Sequence, residues 1–130
     1  MKILRRKDII YPDLSYKIIG ILFDVYNDIG YGYHEKYYQR AISKTLLSNK
    51  MKFQEQVYTP LIFQDKVIGR FFFDFVIEGK IILEIKKDGR FSKRYIDQVN
   101  NYLKNSGLKL ALLVNFAKDG VKFKRLVNIK

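Results

Sequence analysis

The spacing of hydrophobic residues along the chain predicts three helices and five strands. Apolar residues recur at intervals of three and four over residues 14–29, 33–49 and 92–105, which is the period of a helix with one buried face. Segments dense in Val, Ile, Leu and Phe predict strands over residues 52–63, 67–77, 80–87, 108–116 and 121–128. The predicted order is therefore α-α-β-β-β-α-β-β, and the first three strands form an antiparallel meander.

Local signals predict where several of these elements begin and end. Asp13 or Ser15 is suited to cap the N-terminus of the first helix, and Gly30 fits its C-terminal end. Ser92 is suited to cap the third helix. Pro60 cannot donate a ladder hydrogen bond, so the first strand is expected at a sheet edge or a bulge. The run at 108–116 is almost entirely apolar, which is typical of a buried central strand.

Two acidic residues interrupt the apolar hairpin over residues 71–87. Asp74 lies in its first strand, Glu84 lies in its second, and Lys86 follows Glu84 on the same strand face. The flanking positions are apolar on both faces, so both faces of the hairpin are expected to be covered. A carboxylate in such surroundings is costly unless it is paired or binds a cation. The alternative is an amphipathic hairpin with solvated charges, but that pattern requires strict alternation of polar and apolar residues.

The length of the hairpin loop decides whether the two acids can meet. A two-residue loop, Glu78-Gly79, would place Asp74 opposite Leu83, and Glu84 would then point to the other face. A three-residue loop that includes Lys80 places Asp74 opposite Glu84, and a bulge or a splay of the strands has the same effect.

The residue types at this hairpin suit a divalent metal. Mg²⁺ prefers one or two carboxylates and retains several waters, so Asp74 and Glu84 are candidate ligands of Mg²⁺ (or Mn²⁺). The main-chain carbonyl of Ile85 is a candidate for a further ligand. Lys86 is suited to hold an attacking water or to stabilise charge on a transferred phosphate oxygen. The chemistry that needs this combination is phosphodiester hydrolysis.

Composition narrows the class of partner and the compartment. The formal net charge is +12, from 25 basic and 13 acidic residues over 130 positions. This excess favours nucleic acid first and an anionic membrane surface second, although a basic surface that only aids solubility is the alternative. We expect one domain over residues 1–130, in which residues 1–12 form a short basic arm with Lys2, Arg5, Arg6 and Lys7. The absence of cysteine and of any apolar run near 20 residues predicts a cytoplasmic protein that does not span a membrane.

Several motifs in order resemble the PD-(D/E)xK nuclease superfamily. Asp74 followed by Glu84-Ile85-Lys86 is similar to its D…ExK core, with Phe73 where a proline often stands. The segment GYHEKYY, from Gly32 to Tyr38, resembles the GxxExxY motif of one family within it. The segments QVNNY at residues 98–102 and LLVNF at residues 112–116 resemble that family's QxxxY and LLxNF motifs.

The resemblance implies a fold, an activity and further site residues. The implied fold is an α/β restriction-endonuclease-like core with a central mixed sheet flanked by helices. The implied roles are metal ligation by Asp74 and Glu84, a catalytic Lys86, and an auxiliary acid at Glu35. The position of Glu35 in a first helical turn is otherwise explained by the helix dipole. The resemblance also implies that Gln98 and Tyr102, which share a helix face, line the site.

Three functions remain open from the sequence. The first is an Mg²⁺-dependent nuclease acting on nucleic acid, with DNA favoured, alone or within a homodimer or larger DNA-processing complex. The second is a catalytically inactive nucleic-acid-binding or accessory subunit, and the third is a subunit whose Tyr- and Phe-rich surface is an assembly interface. Four basic residues that follow the predicted catalytic strand are expected to contact the phosphate backbone: Lys87, Arg90, Lys93 and Arg94.

Overall fold

The computed structural model describes residues 10–87 and 90–128. The basic side chains predicted for the N-terminal arm, Lys2, Arg5, Arg6 and Lys7, lie outside these ranges. The described elements follow the predicted order, and their bounds are α1 Pro12–Ile29, α2 Glu35–Ser48, β1 Phe53–Phe63, β2 Lys66–Ile77, β3 Ile81–Lys87, α3 Lys93–Ser106, β4 Leu110–Ala117 and β5 Gly120–Val127.

The five strands form one mixed sheet in the order β1-β2-β3-β4-β5. β1, β2 and β3 pair antiparallel, which confirms the predicted meander. β4 runs parallel to β3 after the crossover through α3, and β5 returns antiparallel to β4. β1 is an edge strand, and its pairing with β2 shifts register next to Pro60, between Leu61 and Ile62. Pro60 therefore lies on a sheet edge, as its missing N–H predicts.

Helices cover both faces of the sheet and divide the interior into two cores. α1 and α2 pack on one face, where Ile18, Leu22, Tyr38 and Ile42 bury against alternate residues of β3 and β4. α3 packs on the other face and buries Val99 and Leu103. β4 is buried through most of its length because it lies between two strands and under helices on both sides. This is the restriction-endonuclease-like α/β core, with a central mixed sheet flanked by helices, that the resemblance implies.

The start of α1 differs from the prediction. The helix begins at Pro12, and neither Asp13 nor Ser15 serves as its N-cap. Tyr11 occupies the cap position without a side-chain hydrogen bond, and the hydroxyl of Ser15 donates to the Pro12 carbonyl oxygen at 3.3 Å. Proline is favoured in the first helical position because its fixed φ suits the helix and its missing N–H is not needed there. The predicted ends at Gly30 and Ser92 are confirmed.

The loop between β2 and β3 has three residues. Ile77 pairs with Ile81, Val76 with Ile82 and Phe75 with Leu83. Glu78 and Gly79 both adopt positive φ, 54° and 64°, which is the left-handed conformation that glycine takes easily. The next position outward in this register places Asp74 opposite Glu84, as the three-residue alternative requires.

The strand alternation is broken at Asp74. Phe73 and Phe75 are two residues apart, yet Phe75 is buried in the core beneath α1 and α2 and Phe73 in the core beneath α3. On the neighbouring strand, Gln56 adopts a positive φ of 50°, and the pairing of β1 with β2 skips from Glu55 to Val57. β2 therefore twists at Asp74, which lies where the two cores meet.

Within the described residues, no helix is long and apolar enough to cross a membrane.

Candidate functional site

Asp74 and Glu84 replace the main-chain hydrogen bonds of the ladder where β2 leaves β3. The Asp74 N–H donates to Oε1 of Glu84 at 2.5 Å, and the Ile85 N–H donates to Oδ2 of Asp74 at 2.8 Å. Each carboxylate thus accepts a hydrogen bond from the other acid's strand. The ladder pairing of the two strands ends one residue earlier, at Phe75 and Leu83. The two strands separate at this point, and the carboxylates of Asp74 and Glu84 lie between them.

The remaining oxygens of the acid pair receive donors from opposite layers of the fold. Nε2 of Gln39, on α2, donates to Oδ1 of Asp74. The hydroxyl of Tyr95, on α3, donates to Oε2 of Glu84. Helices on both faces of the sheet therefore fix the two carboxylates, and buried polar networks of this kind hold side chains in one arrangement.

Burial and the charge of a neighbouring acid raise the pKa of both Asp74 and Glu84. Glu84 is 5% exposed, and burial together with the charge of Asp74 raises its pKa from 4.5 to about 8. Burial is also the main cause that raises the pKa of Asp74, and Glu35 adds to it. Hydrogen bonds and Lys86 act in the opposite direction on both groups. Burial and the charge of Glu84 raise the pKa of Tyr95, so its hydroxyl remains a donor. The positive charge of Lys86 is therefore not enough to offset the burial of Asp74 and Glu84 and the negative charge around them.

The donor set fits a hard divalent cation. Two carboxylates converge here with pKa values raised by burial and by the charge of neighbouring acids, and a cation between them would remove that repulsion. Oxygen ligands of this type suit Mg²⁺ and Mn²⁺. Among residues 10–87 and 90–128 there is no cluster of three or more histidine, aspartate and glutamate side chains arranged for a metal. Main-chain oxygen, such as the Ile85 carbonyl, and water would have to complete the coordination.

Lys86 lies beside the acids on the same face of β3 as Glu84. Its charge lowers the pKa of both Asp74 and Glu84, although neither acid forms an ion pair with it in the described structure. Its ammonium group lies 5.0 Å from the ring centroid of Tyr95. A cation over an aromatic face is stabilised without using its hydrogen-bond donors. The Lys86 ammonium is therefore held near the acids with donors left for a phosphate or a water.

Glu35 approaches the same strand from α2. It is the first residue of that helix, and its Oε2 accepts a hydrogen bond from the Lys87 N–H at 3.2 Å. Its charge reaches Asp74 and Tyr95, since it raises the pKa of each. Glu35 and Lys87 line an open cavity of about 410 Å³ with His34 and Lys36. The carboxylate therefore lies beside the acid pair at the end of β3.

The structure places Gln98 and Tyr102 differently from each other. Gln98 lines a cavity of about 400 Å³ with Lys86 and Tyr95. Tyr102 packs edge-on against Phe73, 4.7 Å between ring centroids, in the core beneath α3. It lines a separate cavity with Gln98 that is bounded by the β1–β2 hairpin. Contrary to what the resemblance implies, Tyr102 does not border the cavity that contains Lys86, because it lies seven residues, or two helical turns, beyond Tyr95 on α3.

The four basic residues expected at the phosphate backbone do not all lie at one cavity. Arg90 and Arg94 line the cavity that contains Lys86, and Lys87 lines the cavity that contains Glu35. Lys93 is 89% exposed and pairs with Asp97, one turn along α3, at 2.9 Å. Lys93 lines neither cavity.

Comparison with known proteins identifies the family. The model of the PD-(D/E)XK nuclease superfamily matches residues 12–126. The chain belongs to this superfamily. The match covers every described helix and nearly all of the sheet, and it supports nuclease activity. The narrower assignment to the GxxExxY family remains a prediction from the motifs.

Two solved structures are similar to this superfamily member in shape. The crystal structure of SSO0001 has a TM-score of 0.50 and 17% identity, covering 91% of this chain and 57% of that one. The chain therefore spans little more than half the length of SSO0001, and the likeness supports the fold. An alkaline exonuclease from Laribacter hongkongensis has a TM-score of 0.47 and 12% identity, covering 93% of this chain and 73% of that one. No significant match to a curated protein is found.

Two residues of the site in this superfamily member were missed by sequence reasoning. Gln39 follows Glu35 by four residues on α2, and Tyr95 precedes Gln98 by three on α3, so each shares a helix face with a predicted site residue. That spacing was the available signal. It was insufficient because many residues share a face with any given helical position, and only the tertiary fold selects those that reach the acids.

The last tyrosine of the GYHEKYY segment, Tyr38, stabilises the packing of α2 in this nuclease-like domain. Tyr38 is fully buried, and its hydroxyl donates to the Gly30 carbonyl oxygen at 2.6 Å. It thereby ties α2, which carries Glu35, to the end of α1. We expect Tyr38→Phe to lower the free energy of unfolding by about 1–2 kcal/mol, because the Gly30 carbonyl loses its partner. Urea denaturation would measure this, with Tyr37→Phe, whose side chain is exposed, as the matched control.

Proposed function

We propose that this chain is a divalent-cation-dependent nuclease that hydrolyses phosphodiester bonds, with Mg²⁺ (or Mn²⁺) as the ion and DNA as the favoured substrate. The observation that carries the proposal is a pair of hydrogen bonds at the break in the β2–β3 ladder, from the Asp74 N–H to the Glu84 carboxylate and from the Ile85 N–H to the Asp74 carboxylate. A fold gains nothing from burying two repelling acids unless a cation or a proton compensates them. The superfamily membership supports the same function.

The chain's own oxygens would hold the cation. When bound, a divalent cation supplies positive charge at the phosphate and makes water a better nucleophile near neutral pH. In the proposal, Asp74 and Glu84 provide its carboxylate ligands and the Ile85 carbonyl a third oxygen. Gln39 and Tyr95 keep both carboxylates oriented through the hydrogen bonds described above. These supporting contacts matter because small displacements of ligands weaken both binding and chemistry.

Lys86 and Glu35 complete the proposed machinery. The Lys86 ammonium, held over Tyr95, would donate to a nonbridging phosphate oxygen or to the attacking water, so that developing negative charge is stabilised. Glu35 is proposed as an auxiliary acid, because its carboxylate lies beside Lys87 at the end of β3. Gln98 borders the same cavity as Lys86 and is proposed to contact substrate.

Positive charge near the site supports a polyanionic substrate. Lys87, Arg90 and Arg94 border the two cavities beside the acids, and the whole chain carries a net charge of +12. Each phosphate neutralised by a lysine or an arginine releases counterions and adds to affinity. We propose that these residues position the scissile strand, in a single domain over residues 1–130 that acts in the cytoplasm, alone or within a homodimer or larger complex.

The proposal is tested by a cleavage assay on labelled single-stranded DNA, duplex DNA and RNA. We expect the wild type to cleave at least one of them with Mg²⁺ or Mn²⁺ and none with EDTA. Glu84→Ala should lower the rate by at least about 100-fold, the scale of losing a group that stabilises transition-state charge. Glu55→Ala, an exposed acid on β1, is the matched control and should cleave like the wild type. Binding without metal-dependent cleavage by pure wild-type protein would instead indicate an accessory subunit.

A further inference from the structure

A row of polar side chains leads from the acid pair across the sheet to its β5 edge. Lys86 on β3 pairs in register with Asn115 on β4, and Asn115 pairs with Lys122 on β5. The neighbouring row runs from Glu84 through Leu113 to Lys124. Paired residues on adjacent strands share a sheet face, and two strand spacings amount to roughly 10 Å. Lys122 and Lys124 therefore lie on the same face as the acids, one buried strand away.

A cavity of about 530 Å³ lies along this row. Its basic lining residues are Arg90, which also borders the cavity at Lys86, and Lys118, Lys122 and Lys124. No acidic residue lines it within the described part of the chain. Lys122 pairs with the exposed Asp119 at 3.3 Å, and such a surface pair is weak enough for a phosphate to replace it.

Aromatic rings border the same cavity. Phe123 lies between Lys122 and Lys124 on β5 and pairs with Val114, so it projects to the other side of the strand at the open edge of the sheet. Phe123 and Tyr31 are 42% and 41% exposed and border the cavity at the β5 edge. Phe91 borders it near Arg90 and stacks on Tyr95, with 6.5 Å between ring centroids and 21° between the planes. Tyr95 in turn donates to Glu84. The aromatic series thus continues from the cavity to the acid pair, and we call the whole feature the basic–aromatic groove.

We propose that the basic–aromatic groove binds a single-stranded segment of nucleic acid that extends from the cleavage site, which rests on the proposed nuclease function. Lysine and arginine side chains would hold its phosphates, and Phe123, Phe91 and Tyr31 would stack on its bases. Exposed aromatic rings among cations are the recurring surface for unpaired strands, because every base has a face on which a ring can stack. The bases of a duplex stack on each other and are not available to these rings.

The groove would recognise an unpaired base next to a phosphate, and single strands of DNA and of RNA both present this group. A lipid surface is the less suitable occupant, because membrane binding requires a broad apolar face that inserts beside the basic residues. Here the rings are set among basic residues on β5 and on the loops that precede α2 and α3, and they form no broad apolar face. The substrate class that follows is a single strand, or a duplex with a single-stranded end or flap.

The test is fluorescence anisotropy in EDTA, where no metal-dependent cleavage occurs, with labelled oligomers of equal length. The oligomers are oligo-dT, oligo-U, an abasic strand of the same charge, and a blunt duplex. We expect the single strands with bases to bind more tightly than the duplex. Phe123→Ala should weaken the binding of oligo-dT and oligo-U by about tenfold and leave abasic binding unchanged, because only stacking is removed.

A charge variant separates the phosphate contacts from stacking. Lys122→Ala/Lys124→Ala should weaken the binding of all single strands, abasic included, and reduce the slope of log K against log salt by about 0.7 for each phosphate that the variant no longer neutralises. Phe63→Ala, with an exposed ring at the end of β1, and Lys17→Ala/Lys44→Ala, with the same change of charge elsewhere, are the matched controls and should bind like the wild type.

Several results would overturn the inference. They are equal weakening of abasic binding in Phe123→Ala, preference for the duplex, unchanged binding in both groove variants, or groove-dependent binding to phosphatidylserine vesicles without nucleic-acid binding. Cleavage by a protein whose groove variants bind normally would reject the groove and leave the nuclease function intact. Groove-dependent binding of single strands by a protein that cleaves nothing would reject the nuclease function alone.

Discussion

Lys86→Ala is expected to lower the rate of cleavage by about 100-fold or more while leaving the affinity for Mn²⁺ within about threefold of the wild type. The two effects separate because the ammonium acts on substrate or water and is not a metal ligand. Lys86 is half-buried over Tyr95, so its removal deletes one favourable interaction but leaves both carboxylates and their donors in place.

The experiment compares this variant with others under single-turnover conditions, with metal binding followed by calorimetry. Asp74→Ala and Glu84→Ala are expected to lose both cleavage and metal binding. Lys66→Ala, an exposed lysine at the start of β2, is the matched control and should change neither. Wild-type cleavage by Lys86→Ala would show that the ExK segment is not catalytic, and loss of metal binding in that variant would show that the lysine shapes the metal site itself.

Without a divalent cation, the protein is expected to lose stability as the pH rises from about 5 to about 8. Burial and Asp74 raise the pKa of Glu84 from 4.5 to about 8, so the folded state holds a proton that the unfolded state has released. The stabilisation from this proton is complete below the unfolded pKa and is lost as the pH approaches the folded pKa. Since one pKa unit corresponds to about 1.4 kcal/mol, the loss is on the order of 3 kcal/mol.

The charged and titratable groups around Glu84 set the size of this effect. Asp74 on β2 raises the pKa of Glu84, Lys86 on β3 lowers it, and the hydroxyl of Tyr95 on α3 lowers it by donating a hydrogen bond. Glu35 on α2 acts indirectly, because it raises the pKa of Asp74. A divalent cation competes with the proton, so added Mn²⁺ or Mg²⁺ should stabilise the protein more at pH 8 than at pH 5.

Urea denaturation across this pH range, in EDTA and in Mn²⁺, measures the effect. Glu84→Gln should remove most of the decline in EDTA and the stabilisation by metal, because an amide neither titrates nor replaces a carboxylate ligand. Glu55→Gln, on the surface of β1, should retain both. In EDTA, the free energy of unfolding of the wild type relative to Glu84→Gln should fall towards pH 8. A rise would contradict the assignment of a proton to Glu84 in the folded state.

The sequence is sufficient for the order of the elements, and it states the loop geometry under which the two acids meet, but it leaves the choice of loop to the structure. Element order follows from hydrophobic period, which is a property of local sequence. Once the loop has three residues, strand geometry places Asp74 opposite Glu84. The unusual feature that draws attention to this pair, two acids in an apolar hairpin, is visible in the sequence. Burial of Glu84 beneath α3 then follows from its position on a strand covered by helices.

Other features depend on packing that no local pattern encodes. The twist at Asp74, which transfers Phe73 to the core beneath α3, is a property of two neighbouring strands together. Gln39 and Tyr95 reach the acids because α2 and α3 cross the sheet at particular angles, and the sequence does not specify those angles. Tyr102 shares a helix face with Gln98, yet it packs against Phe73, which faces the core beneath α3, and not against the acids.

The proposed function depends most on whether Asp74 and Glu84 bind a divalent cation, and calorimetric titration of Mn²⁺ into pure protein at pH 8 measures this directly. We expect the wild type to bind at the acid pair and to release protons, because burial raises the pKa of Glu84 to about 8. Asp74→Asn and Glu84→Gln should lose that binding, and Glu55→Gln should retain it. Equal binding of Mn²⁺ by all four proteins, or no binding by the wild type, would contradict the assignment of the acid pair as a metal site.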